Sequence, residues 1–376
     1  MSTAAAFEMH GVRVRLESEL PAFLDYAKAA LEPWLTAESG RFDIRSRLQW
    51  RDGLPPRRVG KDGKETGEGG FEQLLWTRRP DRDLYLSEKG AQWLRIDDFP
   101  DLQMQLAMRE ESVELTGRYF FHLAGGGSAE SLQRLRHRSQ LETLRGRRFS
   151  TLLYYLFYHP LLWWLSRGAG WQVLHGAGIA TPIGAIVLAG MPGCGKSTLS
   201  VAMLADPRHR MLSDNLVLHD GANVMACPEL LLLDENSRRL AGAGADKLVA
   251  TGEKRVFARD AYRIADVELS PQPVAALLHV ERASEFALRP LDPPESTARL
   301  RAANMMAKEV RRVLIMNEVL DVVSGARRYD EATAAQRLAE AVPSFELRVP
   351  PVSDLVAFAR DRVLAELYAG LGADVA

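Results

Sequence analysis

Cysteine is nearly absent from this chain: 376 residues contain two, Cys194 and Cys227. That number excludes a disulfide framework, and a reducing compartment, the cytoplasm, is the expected location. A charge excess is missing as well. Lys and Arg number 48 against 49 Asp and Glu, a formal net charge of -1. Nothing therefore draws the whole molecule toward nucleic acid or an anionic membrane, and neither is expected as a partner. No basic segment followed by an apolar core opens the sequence, so no secretory leader is expected. The most apolar tract, Leu152 to Leu165, is too short to span a bilayer and carries His159 and Pro160 in its middle; it is expected in a core or a domain interface. Internal repeats and low-complexity stretches are absent too, which removes solenoid and fibrous classes. With 47% hydrophobic and 26% charged residues, an ordinary globular chain long enough for two domains remains.

What is present is a glycine loop. The stretch Ala185-Ile-Val-Leu-Ala-Gly190-Met191-Pro192-Gly193-Cys194-Gly195-Lys196-Ser197-Thr198 reads as apolar strand, loop and helix start. Gly190, Gly195, Lys196 and Ser197 satisfy G-x-x-x-x-G-K-[ST]. Without a β-carbon, Gly190, Gly193 and Gly195 can take positive φ, which turns successive backbone N–H groups inward as an anion nest. The helix opening at Lys196 adds unpaired N–H groups and a positive dipole end, and Lys196 adds a mobile cation. Ser197 offers the compact oxygen that magnesium accepts. The loop from Gly190 to Thr198 is thus the expected site for the phosphates of a nucleotide with Mg2+; it holds phosphates and does not choose between adenine and guanine.

Around this loop the chain divides. Residues 1–127 read as an α+β recognition or regulatory module. In it, Leu20 to Leu35 has helical spacing, Phe42 to Trp50 alternates like a strand, and Pro55 to Gly70 reads as a loop. Asp83 to Leu86, Trp93 to Ile96 and Glu111 to Leu123 read as short antiparallel strands. The acid pairs Asp97-Asp98 and Glu110-Glu111 read as solvated turns, since adjacent carboxylates lack the spacing of an acid/base pair. Gly125-Gly-Gly127 marks the expected boundary, and residues 128–376 form the second domain. Its first helical tract, from Ser128 toward His159, carries arginines at 134, 136, 138, 145, 147 and 148 as a solvated face.

Beyond the loop helix, Arg210-Met-Leu-Ser213-Asp214-Asn215-Leu-Val-Leu218 is an apolar strand broken by a polar triplet. An acid at such a strand end faces the crevice of the loop, because ligands gather beyond the carboxyl ends of parallel strands. Asp214 is there either to hold magnesium or to take a proton from an attacking hydroxyl. Glu229, after Cys227-Pro228, can complete a metal shell. Thr251 to Arg255 reads as a loop and Pro273 to Glu281 as a buried strand. Glu295 to Val323 reads as one long helix packing Met306, Val310, Val313 and Leu320 on one side. Helices at Ala332 to Ala341 and Asp354 to Leu367, around a strand at Ser344 to Val349, close the chain.

The order His175-Gly176, then Gly190 to Ser197, then Leu212-Ser213-Asp214-Asn215 resembles the catalytic domain of the HPr kinase/phosphorylase family, more closely its divergent HprK-related bacterial relatives. The resemblance covers roughly Trp171 to Glu281. It implies an α/β fold with a P-loop core similar to phosphoenolpyruvate carboxykinase and the HPr kinase C-terminal domain, in which a mixed sheet is flanked by helices. It also implies phosphoryl transfer from ATP to a hydroxyl, with Asp214 as general base, His175 as the active-site histidine, and Lys196 and Ser197 on phosphate and magnesium. The family's second acid is Asn215 here, which removes one negative ligand from a metal shell of Ser197, Asn215 and Glu229. The glycine-rich signature for the carrier protein HPr is not recognisable after Cys227, so the acceptor is expected to be another protein serine or a small molecule. A homo-oligomer is expected. The competing expectation is a nucleotide-hydrolysing switch or assembly factor with no acceptor other than water.

Overall fold

Val12, Val14 and Leu16 alternate with Arg13, Arg15 and Glu17, and His10-Gly11 precedes them, which is the pattern of a hairpin with one buried face. In the computed structural model both turn residues have positive φ, 52° and 79°, and Thr3–Met9 (β1) pairs with Val12–Ser18 (β2) around them. Residues 3–54, 77–79, 84–87, 90–94, 96, 99–109, 111–122, 141–227, 229–255, 259–325 and 331–373 are described. The expected loop from Pro55 to Gly70, the boundary at Gly125 to Gly127, the cap at Ser128 and the acids Asp97, Asp98 and Glu110 lie outside them.

The chain forms two compact units, Met1–Trp164 with Met316–Arg328, and Leu165–Ile315 with Tyr329–Ala376. In the first unit β1 and β2 join Leu35–Thr36 (β3), Ile44–Asp52 (β4), Thr77–Arg79 (β5), Leu84–Ser87 (β6), Gly90–Trp93 (β7), Leu102–Arg109 (β8) and Ser112–Phe121 (β9). The sheet order is β3-β1-β2-β4-β9-β8-β7-β6-β5. Helix Pro21–Ala30 (α1) and the helical run 141–164 pack on it, for instance through Phe7 edge-on to Phe157 at 5.3 Å between ring centres. That run comprises Leu141–Leu153 (α2), a π-helical turn Tyr154–Tyr158 and the start of His159–Gly168 (α3). The wide turn falls just before Pro160, whose missing N–H leaves the preceding carbonyls without their usual partner. Within the tract Leu152 to Leu165, every residue but Tyr154 and Trp164 is buried. Among the described residues no helix is long and apolar enough to cross a membrane.

The second unit is α/β, with mixed sheets flanked by helices. Its strands are Gln172–Thr181 (β10), Gly184–Ala189 (β11), Arg210–Ser213 (β12), Leu216–His219 (β13), Asn223–Met225 (β14), Leu231–Leu233 (β15), Leu248–Arg255 (β16), Arg259–Ile264 (β17), Gln272–Arg282 (β18), Ala287–Leu291 (β19) and Ser344–Val349 (β20). The main order is β11-β10-β13-β14-β18-β20-β19, and β11 also pairs with β18. The ladder β11-β10-β13-β14-β18 therefore returns on itself as a closed ring of five strands. β11 is antiparallel to β10 and parallel to β18. Both of its faces are covered, which is why it is apolar throughout. Ile186 and Leu188 meet helix Lys196–Met203 (α4) and the closing run 355–370, while Ala185, Val187 and Ala189 share a core with Leu300 and Leu338. β15, β17 and β16 make a separate small sheet.

Three sequence expectations are corrected. The strand expected at Trp93 to Ile96 lies earlier, at Gly90–Trp93, in a sheet that is mixed and not antiparallel throughout, since β4 runs parallel to β2 and to β9. Thr251 to Arg255 is not a loop but part of β16, whose pairing with β17 shifts register between Ala250 and Lys254. The helix expected from Glu295 to Val323 is two helices, Pro293–Met306 (α6) and Lys308–Ser324 (α7). Ala307 between them is extended at ψ 118°, so the apolar stripe is interrupted. Val310, Val313 and Leu320 are buried, whereas Met306 is 56% exposed.

Candidate functional site

The loop leaves the end of β11 at Gly190 and re-enters helix at Lys196. Its three glycines have φ of 146°, 83° and 104° at Gly190, Gly193 and Gly195, all in the region that side chains avoid. Gly190 is doubly constrained, since a β-carbon there meets the Val280 carbonyl oxygen at 2.6 Å. Met191, Pro192 and Gly193 form the exposed rim, Cys194, Gly195, Ser197 and Thr198 are partly covered, and Lys196 is buried. The Lys196 ammonium donates to the carbonyls of Gly190 and Met191 at 2.9 and 3.1 Å. Burial lowers its pKa, opposed by Cys194 and Asp214.

Asp214 and Asn215 occupy the turn between β12 and β13. Asn215 has φ of 72°, one of two non-glycine residues with positive φ among those described; asparagine tolerates this conformation better than most. The Ser213 hydroxyl pins the turn by donating to the Leu216 carbonyl and accepting from the Cys227 N–H, with the Cys227 carbonyl also within 3.2 Å. As a result the buried Asp214 carboxylate accepts from the Ser197 hydroxyl at 2.9 Å. Burial pushes this carboxyl up to about 6, against the stabilising pull of Ser197, Lys196 and the Asn215 N–H.

β10 brings the third element. Its register places Gly176 opposite Ala189, the last residue before the loop, and a β-carbon on Gly176 meets the Leu188 carbonyl oxygen at 2.7 Å. The glycine of the His-Gly pair is thus required by strand packing. His175 Nδ1 donates to the Asn215 carbonyl at 3.0 Å, since a carbonyl oxygen only accepts. Nε2 is left as a bare acceptor, and it has no hydrogen-bond partner although the residue is only 7% exposed. Burial, and then Lys196, push the imidazole down to about 4, so it is neutral near pH 7. Its backbone N–H donates to Asn304 Oδ1 at 2.9 Å. Asn304 was not foreseen; an asparagine inside a helical stretch 129 positions away gives no local signal.

His175, Lys196, Ser197 and Asp214 are therefore brought together. The other two expected metal ligands are placed beside them but engaged with each other: Asn215 Nδ2 donates to Glu229 Oε2 at 2.8 Å. Among the described residues no group of three or more His, Cys, Asp or Glu side chains could hold a metal ion. Arg239 bonds Asn236 on its own short helix, Glu235–Leu240 (α5).

No family model matches the chain, and no curated protein matches it.

Proposed function

We propose that the protein is a P-loop kinase of the HPr kinase-like type, transferring the γ-phosphoryl group of ATP to a hydroxyl on a protein serine or a small molecule. The observation that carries this reading is the Ser197–Asp214 hydrogen bond at 2.9 Å. It joins a glycine loop suited to polyphosphate to a buried carboxylate already accepting from a hydroxyl. The residues suit the groups implied. Backbone N–H groups of the loop and Lys196 answer a triphosphate, and the side-chain oxygens of Ser197, Asn215 and Glu229 are hard donors of the kind that Mg2+ takes. Bound there, Mg2+ would neutralise charge on the phosphates.

The chain's own part follows from charge and position. Lys196, tethered to loop carbonyls at 2.9 and 3.1 Å, is held where phosphate oxygens can replace those partners. Asp214 is the base: the acceptor oxygen bonds to the γ-phosphorus, the bond to the ADP oxygen breaks, and the acceptor proton passes to the carboxylate. A pKa near 6 keeps it mostly ionised at neutral pH and a better proton acceptor than an ordinary carboxylate. His175 Nε2, buried and lacking a donor, accepts a hydrogen bond from the ligand and orients it.

Labelled ATP, the purified chain and a cell extract test this. Label transfer to an acceptor is expected, abolished by Asp214→Ala with nucleotide binding retained. Transfer that survives Asp214→Ala removes the assigned base. Phosphate release to water alone, with no acceptor labelled, favours a hydrolysing switch.

A further inference from the structure

The register of the second unit sets four residues in one row across the sheet: Glu346 opposite His279, His279 opposite Ala189, and Ala189 opposite Gly176. This is the row at which β11 gives way to the glycine loop. Helix α6 crosses it. Ser296 bonds His279 Nε2 at 2.9 Å, Arg299 bonds Glu346 at 2.7 Å, and Asn304 bonds the His175 N–H at 2.9 Å. Eight residues of helix from Ser296 to Asn304 rise about 12 Å. Two strand spacings, from β18 through β11 to β10, are about 10 Å. The helix thus has the length needed to bridge the row.

At His175 the sheet leaves a backbone donor to be satisfied. In an antiparallel ladder successive N–H groups point to opposite sides. The Gly176 N–H goes to the Asn215 carbonyl on the β13 side, so that of His175 points to the β11 side. There the ladder ends, because Ala189 faces Gly176 and the next residue turns into the loop. Asn304, 3% exposed, supplies the oxygen that β11 no longer provides. The ring of His175 is fixed separately, by the Asn215 carbonyl.

We propose that Asn304 is the positioning residue for His175, and that α6 is the crossbar holding the candidate site to the sheet at the row where the glycine loop begins. The proposal rests on the kinase reading for the role of His175. Removing the Asn304 oxygen leaves a buried N–H unpaired and frees β10 at the residue where its pairing with β11 has just ended.

The test compares wild type, Asn304→Ala and Asn304→Asp in the full chain. It follows hydrogen exchange in peptides covering Gln172 to Gly176, together with kcat for label transfer and the KM for nucleotide. For N304A we expect exchange at His175 to quicken about fivefold, the weight of one lost net hydrogen bond. We also expect kcat to fall about 10- to 100-fold, the scale of a small misplacement, at unchanged nucleotide KM, because the loop keeps all its contacts. N304D restores the acceptor oxygen and is expected to recover the exchange protection. Should N304A fail to fold, Asn304→Ser, whose oxygen stops short, carries the same comparison. Unchanged exchange in N304A, or full kcat in an active wild-type background, overturns the assignment of Asn304. A wild type that transfers no phosphoryl group overturns the kinase reading instead, whatever exchange shows at His175.

Discussion

Ser197 and Asp214, 17 positions apart, meet through a 2.9 Å hydrogen bond between the first turn of α4 and the turn linking β12 to β13. Each lies at the end of its element, so the pair reports on loop and turn together.

Asp214→Asn keeps an oxygen for the Ser197 hydroxyl and removes an ionisable group from a buried place. Folding stability at pH 7.5 is expected to stay within about 1 kcal/mol of wild type, because a hydrogen bond is retained while a buried charge is lost. Phosphoryl transfer is expected to fall about 10²- to 10⁴-fold, the usual contribution of a general base. Urea unfolding beside single-turnover labelling separates the two; large losses in both would mean that the carboxylate holds the fold.

The loop glycines are not equivalent. Gly195→Ala meets no atom within 4 Å and suffers only the strain of a positive φ, about 1–2 kcal/mol. Gly190→Ala adds the contact with the Val280 carbonyl oxygen and is expected to cost more, about 3 kcal/mol or above. Denaturant midpoints of the two variants give the order, and equal midpoints would contradict the packing at β18.

Asn215→Asp reinstates an acidic pair. It also replaces the amide that donates to Glu229 at 2.8 Å, setting two carboxylates against each other. In chelator the variant is expected to lose about 1–3 kcal/mol; added Mg2+ should stabilise it more than it stabilises wild type, since an extra anionic ligand is available. Melting with and without the metal checks this, and an identical metal response in both proteins would place the cation elsewhere.

Two buried imidazoles outside the site, His219 and His279, are each pushed from 6.5 down to about 4 by burial first. Their folded pKa lies below the unfolded one, so the unfolded chain binds more protons between those values. Stability is then full above pH 6.5 and lost as pH falls toward 4, by on the order of 3 kcal/mol for each histidine. Asp214, raised from 3.8 to about 6, acts in the opposite sense and offsets part of the loss. Unfolding at pH 7.5, 6 and 5 should show the decline, and His279→Gln should make it shallower.

The glycine loop and its strand were legible because chemistry restricts them to few residue types at fixed spacing, and the turn at Asp214 because polar residues interrupt an apolar run. β20 matches its expected limits, Ser344–Val349, since a short alternating strand between helices has little competition. The opening hairpin carries its signal in the plain two-residue period of Val12, Val14 and Leu16. The break at Ala307 was hidden: alanine is the best helix former, and only its surroundings hold it extended. Contacts such as Asn304 with His175 depend on how a helix crosses a sheet, which no local window contains.

The closed ring of five strands has a mechanical corollary. With neighbours hydrogen-bonded on both flanks, the strand beneath the glycine loop can neither slide nor recruit an outside partner. Any movement at the candidate site must be taken up by the pieces hanging from its rim: the loop, the β12–β13 turn and the end of α6. A chemist wishing to retarget this protein has a stiff chassis to build on and should rewrite those attachments alone.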